Sequence, residues 1–500
     1  MDNICSQCGL NPKSTAPIPP APTQSPHEEI DFIKQEFSRI DDHIRRLCEE
    51  KASLGRRLNE LQATTKILPP ETISLIFRHV CRSSWNATNA VASVGYQRQI
   101  NILPLLRLGG ICSLWRQIAW STPDLWSTAL VDVHANKAER IASLLELCFR
   151  NVGIVPVSLY LRFFEEELLS WGKNPTLVFP IANLVFKKPG NAEKIRVLRL
   201  HDSPIAWMNL LSEEKLKNLE VLTLAGFTSK ANWTSITLPK LPSLRCFTIS
   251  DMWHHITLPS ADTITTLQLS RTCVDICIGV LRQCVNVVEC QFDADDNTRD
   301  EGDAARNILD SPITFPHLRD LTWPVTHGRS NVLLFHFIQL PVLKRLRLSS
   351  PVIRGTIPSV LINALKEFFD HSSSTLQILE LTQWSCSREN MLQLSLSLPG
   401  SIRELLLINC FETFASHLLQ GLNPPPGQVK NLPVLELLHI SSINKTAMQL
   451  LKEVLEKRED GIGAPFKIVL PSPGVILNQG VRQLQAFARD RSRQIEIELL

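Results

Sequence analysis

Cysteine and histidine side chains at short spacings are the first groups in this sequence that could do chemistry, because both bind zinc. Cys5 and Cys8 form a C-x-x-C pair, but one pair supplies only half of a tetrahedral site and no second pair follows at finger spacing. His254 and His255 have Asp251 nearby and no cysteine. We therefore expect a surface histidine pair and no zinc site formed by this chain alone at either place.

Four further cysteines lie within eighteen residues, at Cys273, Cys277, Cys284 and Cys290. Their spacings match no closed-finger pattern, and Cys290 falls on an inward position of the apolar repeat found in this part of the chain. Catalytic signatures are missing as well: there is no G-x-S-x-G, G-x-x-x-x-G-K-[ST] or H-E-x-x-H, and no G-x-G-x-x-G after a strand. We expect no metal, no cofactor and no catalysis by this chain.

Length and composition limit the class of protein. Five hundred residues exceed one compact core, and 44% hydrophobic with 20% charged residues is ordinary for a globular protein. A net charge of +3 argues against a dedicated nucleic-acid binder, which needs a clustered basic footprint. No secretory signal pattern and no run of eighteen apolar residues occurs, so we expect a cytoplasmic or nuclear protein with reduced cysteines.

A pattern of three apolar residues, spaced as apolar-x-x-apolar-x-apolar, recurs ten times after residue 130. The copies start 20 to 33 residues apart, averaging near 27. They begin at Ile195, Leu219, Leu244, Ile264, Val287, Leu318, Leu343, Leu376, Ile402 and Leu435. This spacing is typical of irregular leucine-rich repeats, in which a short strand alternates with a return segment.

The predicted fold is therefore an α/β repeat, with residues 131–500 forming a leucine-rich-repeat-like solenoid. Single copies cannot bury their apolar face, so neighbouring copies must stack. Return segments at 331–338 and 359–369 are apolar enough for helices, and a helix near 481–491 precedes a closing strand at 495–499. The acidic stretch 289–303 falls in a long gap between copies, and we expect an exposed loop there.

Residues between the apolar positions of each strand should face the open side of the array. They form a polar ladder of mixed charge, suited to a protein or peptide surface, although a merely solvated face is the alternative. Arg345 and Arg347 project on the same side and are the best anion-binding pair. The candidate target-binding residues are Arg199, His201, Gln268, Asp293, Arg345, Arg347 and Glu380.

The N-terminal part divides into a Pro-rich tail and a heptad segment. Residues 1–26 should be disordered, and residues 27–65 should form one long helix. Its first seam position holds Ile30, Phe37, Ile44, Lys51 and Leu58, and its second holds Ile33, Ile40, Leu47, Leu54 and Leu61. Such a seam favours either a homodimer through residues 30–61 or a helix folded back on the following segment.

Residues 66–130 form a further helical unit. Leu68-Pro69-Pro70-Glu71 opens it, and an apolar stripe follows on one face of a short helix. The stripe consists of Ile73, Ile76, Phe77 and Val80. The second half of the unit has a similar apolar pattern, Leu105, Leu108, Ile111, Cys112, Trp115 and Ile118, and ends at Ser121-Thr122-Pro123. Helices this short cannot bury a core alone, so they must pack on their flanks or on a partner.

These strings, LPPETISLIF followed by LRLGGICSLWRQIAWSTPDLW, resemble an F-box of the kind abundant in mushroom-forming fungi. A polar insert from Arg82 to Asn101 separates the halves and should lengthen a loop. The resemblance implies docking onto a Skp-type adaptor and, through it, onto a cullin-RING ubiquitin ligase. The residues that it assigns to the adaptor are Leu68, Pro69, Pro70, Ile73, Ile76, Phe77 and Trp115.

The expected function is that of a substrate-recognition subunit, which holds an unidentified protein target on its repeats and makes or breaks no bond itself. The alternative is a scaffold without ubiquitin chemistry, in which the helical unit merely caps the solenoid. Neither nucleic acid nor membrane is an expected partner.

Overall fold

Four helices make up the N-terminal part of the computed structural model. They are α1 (Pro26–Gln62), α2 (Pro70–Ala90), α3 (Ile102–Ile111) and α4 (Ser113–Ser121). Proline suits the first turn of α2, where its missing N–H is not needed, and the Ile73 N–H donates to the Pro69 carbonyl at 3.1 Å. The N-terminal helix predicted from the heptad pattern is confirmed.

The chain divides into two compact units, Met1–Val80 with Pro104–Ser121 and Cys81–Leu103 with Thr122–Leu500. Within the described residues, no helix is long and apolar enough to cross a membrane. The structure describes residues 26–62, 68–90, 102–163, 179–211, 215–226, 235–252, 254–293, 311–325, 329–350, 357–372, 375–422, 432–458, 466–471, 478–490 and 495–499. Cys5 and Cys8 lie outside them.

A long parallel sheet is the main feature of the second unit, which is therefore mixed α/β. Its fourteen strands pair in chain order, and the two end strands, β1 and β14, do not pair with each other. The strands are β1 (Thr128–Val133), β2 (Val157–Phe163), β3 (Ile195–His201), β4 (Val221–Ala225), β5 (Cys246–Ser250), β6 (Thr266–Ser270), β7 (Glu289–Asp293), β8 (Asp320–Pro324), β9 (Arg345–Ser349), β10 (Ile378–Thr382), β11 (Glu404–Ile408), β12 (Leu437–Ile440), β13 (Phe466–Leu470) and β14 (Ile495–Leu499).

Alternate side chains of each strand point to one buried side. In β9, Leu346 and Leu348 are buried, whereas Arg345 and Arg347 lie on the opposite, open face. Leu346 is in register with Leu321 of β8 and Leu379 of β10, so buried apolar rows run across the sheet. Each such side chain stabilises the fold by about 1.5–3 kcal/mol. The ten copies of the sequence pattern fall on ten consecutive strands, β3 to β12.

Helices connect many of these strands, because parallel neighbours need a crossover. They are α5 (Ala138–Asn151), α6 (Val274–Gln283), α7 (Arg329–Phe337), α8 (Ser359–Ser372), α9 (Arg388–Leu396), α10 (Glu412–Leu422), α11 (Lys445–Arg458) and α12 (Asn478–Asp490). Neighbouring helices pack closely: a Cβ added at Gly421 of α10 would collide with the Ser395 side chain of α9. The return helices predicted at 331–338, 359–369 and 481–491 are confirmed.

Left-handed residues directly follow several strands and turn the chain away from the sheet. They are Asp202 (φ 54°), Gly226 (76°), Asp251 (52°), Arg271 (46°), Gln383 (59°) and Asn409 (52°). The Asp202 N–H donates to the Ala225 carbonyl at 2.7 Å, and the Gly226 N–H donates to the Ser250 carbonyl at 3.0 Å. Each of these hydrogen bonds continues the strand ladder by one residue past the end of its strand.

Four sequence expectations need correction. His254 and His255 do not form a surface pair, because His254 is buried and only His255 is exposed. The insert from residue 82 does not begin as a loop, since α2 runs to Ala90, and residues 91–101 lie outside the described ones. The acidic stretch begins as a strand, β7, because Cys290 and Phe292 are buried in the sheet; residues 294–303 are not described. The sheet itself begins at Thr128, ahead of the predicted boundary at residue 131.

Candidate protein-interaction surfaces

Part of the apolar stripe of α2 forms the core of the helical unit. Ile73 and Phe77 are fully buried, and the Phe77 ring meets the Trp115 ring edge-on with centroids 5.0 Å apart. Leu105 of α3 and Ile118 of α4 are buried in the same unit. Two of the predicted adaptor-binding side chains, Ile73 and Phe77, are therefore enclosed by their own chain and hold the helices together.

Residues of the Cys-x-x-Trp-Arg string determine how α3 meets α4. The Cys112 sulfur accepts a hydrogen bond from the backbone N–H of Trp115 at 3.4 Å, so Cys112 takes the N-cap position of α4. Arg116 Nε donates to the Gly109 carbonyl at 2.9 Å. A Cβ added at Gly109 would collide with the Trp120 ring, so only glycine lets that ring lie against α3. This motif has a local structural explanation.

Other apolar residues of this unit are exposed. Leu75 is 59% exposed, Ile76 42% and Ile111 42%, and the side chains of Pro69 and Pro70 are exposed as well. We call the set Leu68, Leu75, Ile76, Val80 and Ile111 the α2 patch. Exposed apolar side chains on and beside helices that are fixed by a buried core are typical of a docking surface.

The open face of the sheet is the second surface. Its central row consists of residues that neighbour one another by register on successive strands. From β1 to β14 the row reads Leu130, Tyr160, Arg199, Thr223, Thr248, Gln268, Gln291, Thr322, Arg347, Glu380, Leu406, His439, Val469 and Glu498. Uncharged polar residues occupy the middle of this row, and apolar residues lie near both ends.

Several predicted target-binding residues contact their own neighbours. The Arg199 guanidinium lies over the Tyr160 ring, 4.8 Å from its centroid. The His201 Nδ1 is 2.7 Å from Asp202 Oδ2. Gln268 Oε1 accepts from the Thr248 hydroxyl at 3.2 Å, and Asp293 Oδ2 accepts from the Gln291 amide at 3.0 Å. These side chains stay on the open face, but the structure does not bring all of them into one cluster.

The arginine pair does not form the free anion site that the sequence suggested. Arg347 Nε donates to Glu380 Oε2 at 2.9 Å, and Arg345 Nη1 lies 3.6 Å from Asp320 Oδ1. Both carboxylates come from neighbouring strands, so each guanidinium already has a counter-charge. Such half-exposed pairs contribute only about 0–1 kcal/mol to stability and leave the face nearly neutral here.

An apolar patch on β10 to β13 of this face was missed by the polar-ladder interpretation. Its members are Ile378, Leu406, Ile408, Leu437 and Val469, which we call the C-terminal patch. His439 lies between Leu406 and Val469 by register. Burial lowers the pKa of His439, against the opposite pull of the Glu380 and Glu498 carboxylates, and its Nε2 makes no hydrogen bond within the described residues. The signal in the sequence was leucine and isoleucine at positions that elsewhere are polar.

The cysteine cluster lies in the core of the second unit. Cys273, Cys277, Cys284 and Cys290 are all buried, and none of them forms a disulfide. Burial raises the pKa of the Cys284 thiol to about 12 and also raises the pKa of Cys277 and Cys290. Since metals bind the thiolate, these protonated groups act as small apolar side chains. In the part of the chain that the structure describes, no three His, Cys, Asp or Glu residues are grouped to hold a metal.

Two apolar surfaces thus result, one in each compact unit: the exposed α2 patch, and the C-terminal patch, which is half-buried except for Val469, whose side chain is buried. No protein-family model and no curated protein matches the chain. What these surfaces bind must therefore be argued from their own chemistry. Neither is an enclosed cavity; each is an open array of side chains suited to another macromolecule.

Proposed function

We propose that this chain is the substrate-recognition subunit of a Skp–cullin–F-box ubiquitin ligase. In this proposal residues 66–130 act as the F-box, and the sheet with its connecting helices is an irregular leucine-rich-repeat solenoid that holds a protein target. The chain performs no catalysis itself and works in the cytoplasm or nucleus.

The observation that carries the proposal is that the apolar residues of α2 divide into two sets. Ile73 and Phe77 are buried and fix the helix, whereas Leu75 and Ile76 are exposed on it. A merely structural helical hairpin gains nothing from exposed leucine and isoleucine, because apolar surface in water is unfavourable by about 25 cal/mol per Å². A helix that docks on an adaptor needs that surface.

The solenoid interpretation is supported by the coincidence of sequence period and strand. Each copy of the apolar pattern contributes its second and third apolar residues to the buried side of one strand, as Leu379 and Leu381 do in β10. Adjacent copies are in register with one another. A single copy could not bury these residues, so the copies depend on stacking, as repeats do.

The target is proposed to bind on the open face, with its anchor at the C-terminal patch. Binding energy in protein interfaces concentrates where apolar side chains are desolvated at the centre of a polar rim. Leu406 and Val469 flank His439 by register, so the imidazole lies between two apolar side chains of the patch. The Arg347–Glu380 ion pair and Lys467 form the charged rim.

The contribution of such a subunit to ubiquitin transfer is proximity. Tethering converts the encounter of target lysine and charged conjugating enzyme into an effectively intramolecular event, at local concentrations that reach the millimolar range for short flexible links. The chain therefore needs two binding surfaces and no catalytic group.

Capture of this chain by a purified Skp-type adaptor tests the proposal. Leu75→Glu with Ile76→Glu should abolish capture and lower the melting temperature only slightly, because both side chains are largely exposed. Ser38→Glu with Ser53→Glu, on the exposed surface of α1, adds the same charge and should bind normally. Equal capture of the two variants would contradict the assignment of the patch. No capture of the unaltered chain would overturn the proposal and favour a scaffold without ubiquitin chemistry.

A further inference from the structure

The seam of α1 is exposed along its whole length. Its nine apolar residues are between 45% and 80% exposed, and the seam is interrupted by one exposed lysine, Lys51. The apolar members are Ile30, Ile33, Phe37, Ile40, Ile44, Leu47, Leu54, Leu58 and Leu61. A helix folded back on its own chain would have buried them, so the second of the two sequence alternatives is wrong.

We propose that α1 pairs with α1 of a second copy of this chain as an antiparallel coiled coil. The heptad repeat supplies the first argument: every seam position but one is apolar over about four and a half heptads, which is the pattern of a two-helix interface. The occupant must match this length and period, and the second copy necessarily does.

Pairing centred between residues 45 and 46 lets each first-position residue of one copy face a second-position residue of the other. The layers of one half are Ile30 with Leu61, Ile33 with Leu58, Phe37 with Leu54, Ile40 with Lys51 and Ile44 with Leu47. Symmetry repeats them in the other half. The single large ring, Phe37, thus meets a leucine, and each Lys51 lies against an isoleucine.

A parallel pairing conflicts with the charges. It would place Lys51 beside Lys51 of the second copy in the middle of the seam, where like charges repel. It would also place Glu36 beside Asp41 of the other helix. The two symmetry-related attractions between Glu29 and Lys34 do not offset these three repulsive contacts, which are Lys51–Lys51 once and Glu36–Asp41 twice. Charge therefore argues against the parallel dimer.

Antiparallel pairing turns the same charges into attractive neighbours. Glu36 then flanks the seam opposite Arg57 of the second copy, and the His43 imidazole, a possible hydrogen-bond donor, lies opposite Glu50. Glu36 already accepts from Arg39 Nε at 2.9 Å, but a carboxylate has further acceptor positions for a second guanidinium. Each contact occurs twice by symmetry. Charge complementarity thus selects one orientation.

The orientation determines where the two chains leave the coiled coil. With a rise of 1.5 Å per residue, the two C-terminal ends of α1 lie about 50 Å apart along the axis in the antiparallel dimer. They would lie side by side in a parallel one. The antiparallel dimer therefore presents the following segments of the two copies at opposite ends of a rod.

The oligomeric state of the full chain tests the pairing. We expect light scattering after gel filtration to give twice the 56.3 kDa monomer mass. Ile40→Asp with Leu47→Asp should halve that mass, whereas Ser38→Asp with Ser53→Asp, off the seam, should not. A monomeric unaltered chain, a higher oligomer, or a dimer that survives the seam variant would overturn the proposal. Circular dichroism of the seam variant checks that the rest of the chain stays folded.

Disulfide mapping tests the orientation. Chains with Ile33→Cys and chains with Leu58→Cys, both carrying Cys48→Ala, are mixed, oxidised gently and digested. Antiparallel pairing predicts a peptide that joins position 33 to position 58, found only in the mixture. Links of 33 to 33 and 58 to 58 would show parallel pairing and overturn the antiparallel assignment. Neither measurement involves the adaptor, so the proposed function can fail without affecting this result.

Discussion

Replacing Phe77 with alanine should destabilise the helical unit far more than replacing its chain neighbour Ile76. The two residues are adjacent on α2, yet Phe77 is fully buried and Ile76 is 42% exposed. The pair therefore separates the two roles that the structure gives to one apolar stripe. Phe77 belongs to the core, and Ile76 belongs to the α2 patch.

The magnitudes follow from burial. Removing a buried phenyl group costs about 3–5 kcal/mol, because the transfer free energy is lost and a cavity remains. About 0.5–1.5 kcal/mol of that arises from the edge-on contact with Trp115. Ile76→Ala removes apolar surface that is already partly in water, so it should cost roughly 1 kcal/mol. A free-energy difference of about 1.4 kcal/mol changes an equilibrium constant tenfold, so the equilibrium constants for local opening of the two variants should differ by about 100-fold.

Hydrogen exchange of the full chain, read by mass spectrometry, measures this opening. Peptides from 70–80 and 104–121 should lose about 100-fold more protection in Phe77→Ala than in Ile76→Ala. Peptides of the sheet, such as 345–349, serve as internal controls and should not change. Equal losses in the two variants, or a larger loss in Ile76→Ala, would refute the division of the stripe.

Two further predictions concern the second unit and α1. Gly421→Val should lower the free energy of unfolding by about 1–3 kcal/mol, and the melting temperature with it, because the new side chain would overlap Ser395. Gly400→Ala, whose Cβ would make only ordinary contacts, should leave the melting temperature unchanged. Equal effects of the two variants would contradict close helix packing. At pH 8, iodoacetamide should alkylate the exposed Cys48 and spare Cys284 until the chain unfolds, because burial raises the pKa of Cys284 to about 12. Mass spectrometry measures the labelling of both cysteines, and equal labelling in the folded chain would contradict the prediction.

The strands were predictable because their signal is local and strong. In each copy of the pattern two apolar residues at alternate positions, such as Leu267 and Leu269, must leave water together, and only a strand places both on one side. Period and chain order then favour a parallel arrangement of neighbours. The return helices at 331–338 and 359–369 followed from the same logic, since their apolar faces repeat at helical spacing.

The candidate surfaces were less predictable, because exposure depends on what packs nearby. Ile73 and Ile76 are equally apolar on one short helix, and only the position of α3 and α4 decides which one is buried. The C-terminal patch arises when Leu406 and Val469, remote in sequence, come to lie on either side of His439 across three strands. A sequence pattern that is applied to each strand separately cannot predict such a patch.

The alternation of isoleucine and glutamate in β14 has a consequence for solubility. As an end strand, β14 offers one row of backbone groups that no strand of this sheet pairs, which is the usual starting point for edge-to-edge aggregation. Glu496 and Glu498 lie on one side of it and both contact Lys467 of β13. A second sheet approaching this edge would have to accommodate these charges against its own backbone. The charged edge thus protects a long parallel sheet against growing by addition of further strands.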